Sequence, residues 1–120
     1  VTEETKEMVI NNICYLLNSF LHCSAYKNII FCWVMHEKSI IDSILEKLDI
    51  ENCDVKKISL IADEKELCKR LAADVATGAR TADVIGRSVA RIPLYQALDT
   101  IKINTGNKTV REIADEIMSL

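Results

Sequence analysis

Glycine, proline and paired cysteines are all scarce in this chain. Three glycines (Gly78, Gly86, Gly106) and one proline, Pro93, occur in 120 residues. So few glycines leave no glycine-rich loop whose backbone N–H groups could cradle phosphates. There is also no internal repeat and no low-complexity segment. The five cysteines (Cys14, Cys23, Cys32, Cys53, Cys68) contain no CxxC pair and are odd in number, which argues for buried free thiols in a reducing compartment. Cys14, His22, Cys23 and His36 match no zinc-ligand spacing, and no metal site is expected. No apolar run reaches the ~18 residues of a membrane span, and no signal peptide is legible. The expectation is a cytoplasmic chain without a membrane partner. A basic excess is missing too: 15 Lys and Arg face 18 Asp and Glu, a net charge of −3. That balance speaks against nucleic acid as a partner.

What is present is a soluble globular composition, 49% hydrophobic and 28% charged, long enough for a single domain with a real core. Its basic residues are unevenly spread. Of five arginines, Arg70, Arg80, Arg87 and Arg91 fall in the stretch from Arg70 to Tyr95, and only Arg111 lies outside it. Arginine presents a planar fork that meets phosphate or carboxylate with two bonds at once. If a helix follows Gly78, then Arg80, Arg87 and Arg91 share one face. Such a stripe points to a small anionic ligand. A merely solvated basic face gives the same pattern.

In chain order, Thr2 with Glu3 and Glu4 predicts a helix start, and Met8, Ile13, Leu16, Leu17, Phe20 and Leu21 carry helical periodicity to about residue 22. Residues 29–34 (IIFCWV) are apolar on both faces and predict a strand covered on both sides. A helix is expected over 38–48, then a strand over 55–61. Asp63 with Glu66 predicts the cap of a third helix ending at Gly78. A fourth begins at Thr81 or Asp83, with a kink or break at Pro93. Residues 101–104 predict a strand. Thr109 with Glu112 caps a last helix whose inward side is Val110, Ile113, Ile117 and Leu120. Strands alternating with helices predict an α/β fold, a three-layer parallel sheet.

These features, over residues 27–120, resemble the later part of small P-loop kinases of the shikimate, gluconate and adenylate kinase type, and most of all the bacterial AAA-labelled uncharacterised kinases. The resemblance is carried by the strand ISLIA, by Leu67, Arg70-Leu71 and Asp74, by Gly78, Arg80, Asp83, Arg87-Ser88, Arg91 and Tyr95, and by the closing IKINTGNKTVREIADEI. It implies the parallel sheet of the P-loop nucleoside triphosphate hydrolase and NMP-kinase type, truncated at the N-terminus, with ATP and Mg²⁺ as cofactors. It makes residues 70–95 a lid-like segment. Arg80 and Arg87 become catalytic cations over the phosphoryl group. Arg70, Asn104, Thr105 and Gly106 become nucleotide contacts, and Arg91, Trp33 and His36 acceptor contacts. Each position also has a plainer role. Arg70 can pair with Glu66, Trp33 and Tyr95 can pack, His36 has Glu37 beside it, Asn104 to Gly106 is a turn by composition, and Asp74 and Asp83 can balance the arginines.

The chain departs from the family at its centre: GxxxxGK[ST] is absent, and with it the phosphate nest, the lysine and the Mg²⁺ hydroxyl. Val1 opens the chain in place of methionine, as in a piece of something longer. The expectation is therefore a remnant or fragment of an ATP-dependent small-molecule kinase, inactive alone and without a bound cofactor of its own. Strands left without their central neighbour would expose edges and invite a homodimer. The alternative is a non-catalytic α/β domain that binds an anionic ligand or a protein partner.

Overall fold

The computed structural model describes all 120 residues, and they form two compact units, Val1–Val55 and Lys56–Leu120. In the first unit, helix α1 spans Glu3–Leu21 and α2 spans Lys38–Leu45. Thr2 caps α1 by accepting from the Thr5 amide, and Thr5 closes the capping box from its own side. The buried face of α1 is Ile10, Ile13, Cys14 and Leu17, which packs with Ile44 of α2 and with Ile29, Phe31, Met35 and Leu48. Met8, Leu16 and Phe20, expected inward, stay exposed. The spacing i, i+3, i+4, i+7 of the buried set is one helical stripe. A polar clasp completes the unit. Asn18 Nδ2 donates to Lys47 O at 3.0 Å, the Asp49 amide donates to Asn18 Oδ1 at 2.9 Å, and His22 Nε2 lies 2.9 Å from Asp49 Oδ2.

Burial raises the Cys14 thiol above its ordinary value near 9.0, partly opposed by the Lys47 ammonium. A raised value favours the neutral thiol in the folded state. Its contribution to stability is therefore complete below the ordinary value and is lost as pH rises through the folded one. Alkylation at mildly alkaline pH is expected to reach Cys23, Cys32 and Cys53, which are exposed, well before Cys14. Mass mapping of an iodoacetamide time course checks this, and equal rates at all four positions would refute it.

The second unit runs β1 (Ile58–Ile61), α3 (Glu64–Ala76), α4 (Asp83–Ala97), β2 (Ile101–Asn104), α5 (Val110–Met118). The two strands pair in parallel, Ile58 opposite Ile101 through Ile61 opposite Asn104. Two helices bridge them, as a parallel pair requires; α3 packs on α4 and α4 on β1. Leu71, Val84, Leu98 and Ile103 are its buried apolar residues. Buried Ser59 is satisfied by Thr100, with their hydroxyls 2.7 Å apart.

The three-layer parallel sheet of the P-loop type does not form. The chain is 53% helical, with two short parallel strands as its small sheet. The expected strand at 29–34 is missing. Its own unit contains only helices, so no strand offers it backbone partners. Ile29 and Phe31 turn into the core, while Ile30, Trp33 and Val34 remain exposed. The strand expected over 55–61 shortens to Ile58–Ile61. Pro93 interrupts nothing that ends α4: the helix runs from Asp83 to Ala97 with the proline inside, forgoing one hydrogen bond. Of the side expected to face inward, Val110 is 85% exposed and Leu120, beyond the end of α5, is exposed as well. Asp63 and Thr109 do cap their helices, accepting from the amides of Glu66 and Glu112. No helix is long and apolar enough to cross a membrane.

Candidate functional site

Helix α3 stops because Gly78 adopts φ +78, a region that costs a side chain but not glycine. The Gly78 amide then donates to Val75 O at 3.1 Å and the Ala79 amide to Asp74 O at 2.9 Å, the paired bonds of a Schellman ending. This ending swings the chain from α3 toward α4 and places Arg80 in the turn, ahead of the helix. The expected stripe of Arg80, Arg87 and Arg91 along one helix therefore does not exist as such. Two of the three still meet. Arg80 and Arg87, with Gly78, Ala79, Thr81 and Val84, line a shallow open depression of about 330 Å³. Arg91, one turn further along α4 and half-buried, does not line it.

Each arginine of the depression has a carboxylate. Arg80 Nε donates to Asp74 Oδ2 at 3.1 Å, and Arg87 Nη2 lies 3.4 Å from Asp83 Oδ2. Asp83 also accepts from the Thr81 hydroxyl. That hydroxyl bond, followed by the nearby Arg87 guanidinium, holds the Asp83 carboxyl below its usual range. A depressed value keeps Asp83 ionised through neutral and mildly acidic pH. The pair with Arg87 is lost only as pH falls through that lowered value.

Arg70 is used differently. Its Nε donates to Glu66 Oε1, its Nη1 to Thr105 Oγ1 and its Nη2 to Thr105 O, each at 2.9 Å. Thr105 is buried, and its hydroxyl and amide both donate to Ile61 O, at 3.0 and 2.8 Å. Glu66, Arg70, Thr105 and the end of β1 thus form one connected bracket. Beside it, Asn104 Oδ1 accepts from the Gly106 amide at 2.8 Å. A Cβ on Gly106 would come within 3.1 Å of that same oxygen. A side chain at this position would have to push that oxygen back by a few tenths of an ångström.

Trp33 and His36 belong to the first unit. The Trp33 ring lies 6.5 Å from that of Phe31, and His36 Nε2 lies 3.5 Å from Glu37 Oε1.

No family model, curated protein or solved structure matches the chain.

The chemistry of the depression follows from its side chains alone. Two guanidinium forks on an open wall fit phosphate oxygens. They do not fit Mg²⁺, which takes oxygen ligands: Asp74 and Asp83, the carboxylates beside the wall, are engaged with the arginines. No group of three His, Cys, Asp or Glu side chains converges elsewhere. The four-residue step from Asp83 to Arg87 is a sequence signal for their pair. The contribution of Gly78 and Ala79 to the wall has no such signal, because it comes from the turn's left-handed step.

Proposed function

We propose that this chain holds phosphate groups of a nucleotide as part of an ATP-dependent small-molecule kinase, and that it transfers no phosphoryl group alone. The observation that carries the reading is the depression at the α3–α4 turn, walled by Arg80 and Arg87. Phosphoryl transfer depends on positioned cations around the phosphates, and these two side chains supply them. The lysine and hydroxyl of a phosphate-binding GxxxxGK[ST] loop are not among these 120 residues, so binding without turnover is the expected behaviour.

Titration calorimetry with ATP, with and without Mg²⁺, tests this. Arg80→Ala is expected to weaken binding about tenfold, equivalent to about 1.4 kcal/mol, through loss of one charge-assisted contact. Binding that is absent in the unaltered chain, or unchanged in Arg80→Ala, would sink the assignment.

One observation favours a second reading, a non-catalytic α/β domain that takes a small anion. Arg70 and Thr105, expected to face a nucleotide, are bonded to each other. Inorganic tripolyphosphate separates the two. Binding equal to that of ATP would mean that the chain reads phosphate and ignores the nucleoside.

A further inference from the structure

We infer that Asp74 is the resting partner of Arg80 and that an arriving phosphate takes the guanidinium from it, so that this carboxylate sets the affinity of the depression by competition. The inference rests on the phosphate-holding reading above. It starts from a feature of the wall: neither arginine there is without an acid, since Asp74 holds Arg80 and Asp83 holds Arg87. A polyanion entering the depression must share or displace those carboxylates.

The Asp74–Arg80 contact is well placed to yield. Its side chains are 47% and 53% exposed, and ion pairs this open to water are weak. A phosphate chain brings more charge than one carboxylate, and its oxygens meet the guanidinium plane two at a time. Exchange of partners is thus downhill, while the carboxylate keeps the guanidinium ordered at the rim beforehand. The contact also spans the turn, from the last part of α3 to a residue ahead of α4. Releasing it frees Arg80 from the only side chain with which it is bonded across that turn.

Asp74 can be altered cleanly. What closes the helix is its backbone oxygen, which accepts from the Ala79 amide at 2.9 Å and from the Thr77 hydroxyl at 3.0 Å. Asp74→Asn keeps that oxygen and the side-chain shape, removes the charge and turns one acceptor oxygen into an NH2 donor, which cannot accept from Arg80. Asp83 is a poorer probe, since it also takes the Thr81 hydroxyl and sits in the first turn of α4, where an acid suits the helix dipole.

The test is a double-mutant cycle read by titration with inorganic tripolyphosphate at fixed low ionic strength. Asp74→Asn is expected to bind about two- to fivefold more tightly than the unaltered chain, the range expected from losing a weak exposed competitor. In the Arg80→Ala background, where Arg87 still offers a cation, Asp74→Asn is expected to change affinity less than about 1.5-fold. An equal gain in both backgrounds would mean a general field effect and would overturn the competition. So would no gain in a chain that Arg80→Ala does weaken, and in that case the phosphate-holding reading survives. No binding by the unaltered chain removes both. The Arg80 Nε–H resonance gives a check without ligand: it is expected to move on Asp74→Asn and to move again when tripolyphosphate is added to the unaltered chain. A resonance indifferent to Asp74→Asn refutes the resting pair.

Discussion

Ile103→Ala is expected to cost the second unit about 3 kcal/mol, within the range of about 2–5 kcal/mol for truncating a buried isoleucine. Ile103 is the most deeply buried large side chain, 2% exposed, at the third position of β2. Its register partner Leu60 is 55% exposed, so the shielding concentrates on β2. A two-stranded sheet has few other apolar contacts with which to close a cavity. Stabilities run at about 0.05–0.15 kcal/mol per residue, so a loss of this size removes a large share of what 65 residues can hold. Trp33, the one tryptophan, lies in the first unit. Native-state amide exchange at 58–61 and 101–104 reads the loss directly. Ile103→Val serves as the graded control, at about 0.5–1.5 kcal/mol. If alanine slows or leaves unchanged the exchange of those amides, the sheet is not held by this side chain.

The difference between Ile103 and the 29–34 run shows which parts of the fold are legible. Caps are local chemistry. Thr2, Asp63 and Thr109 each accept from an amide three residues on, and Gly78 ends α3 by a backbone angle open to glycine. Residue types and spacing suffice for all of these. A strand is not local: Ile29 to Val34 has the composition of a buried strand, yet strand structure needs a neighbour's N–H and C=O groups, and its unit supplies none. Ile58–Ile61 has β2 and pairs. The expected three-layer sheet failed at this non-local step, while the helices and the positions of β1 and β2 were readable from pattern.

The site divides along the same line. Asp83 and Arg87 are one helical turn apart, and a regular helix brings them together whatever else happens. Arg80 reaches Asp74 only because the Schellman ending folds the chain back between them. A uniform helix after Gly78 would have aligned Arg80 with Arg91; the actual start of α4 at Asp83 leaves Arg91 outside the depression. Sequence spacing identified the charges but not which of them share a wall, since that depends on where the helix begins.

Arg70 is where stability and ligand binding should separate most clearly. Arg70→Lys is expected to cost about 2 kcal/mol and Arg70→Ala about 2–3 kcal/mol, because hydrogen bonds to a charged group are each worth about 1.5–3 kcal/mol and do not add fully. Lysine keeps the charge but not the fork, and one ammonium cannot reproduce the separate bonds to Glu66 Oε1, Thr105 Oγ1 and Thr105 O. The Glu66 contact adds little, because the arginine side chain is 43% exposed there. Most of the loss falls on buried Thr105, whose carbonyl would lose its guanidinium donor. Faster amide exchange is therefore expected at residues 104–107 in both variants. Tripolyphosphate affinity should move by less than about twofold, against about tenfold for Arg80→Ala, since Arg70 is bonded inside the bracket and does not line the depression. The reverse pattern, with stability intact and affinity down about tenfold, would mean that the Arg70 fork turns toward the ligand. The bracket from Glu66 to the end of β1 would then be a resting arrangement rather than a structural one.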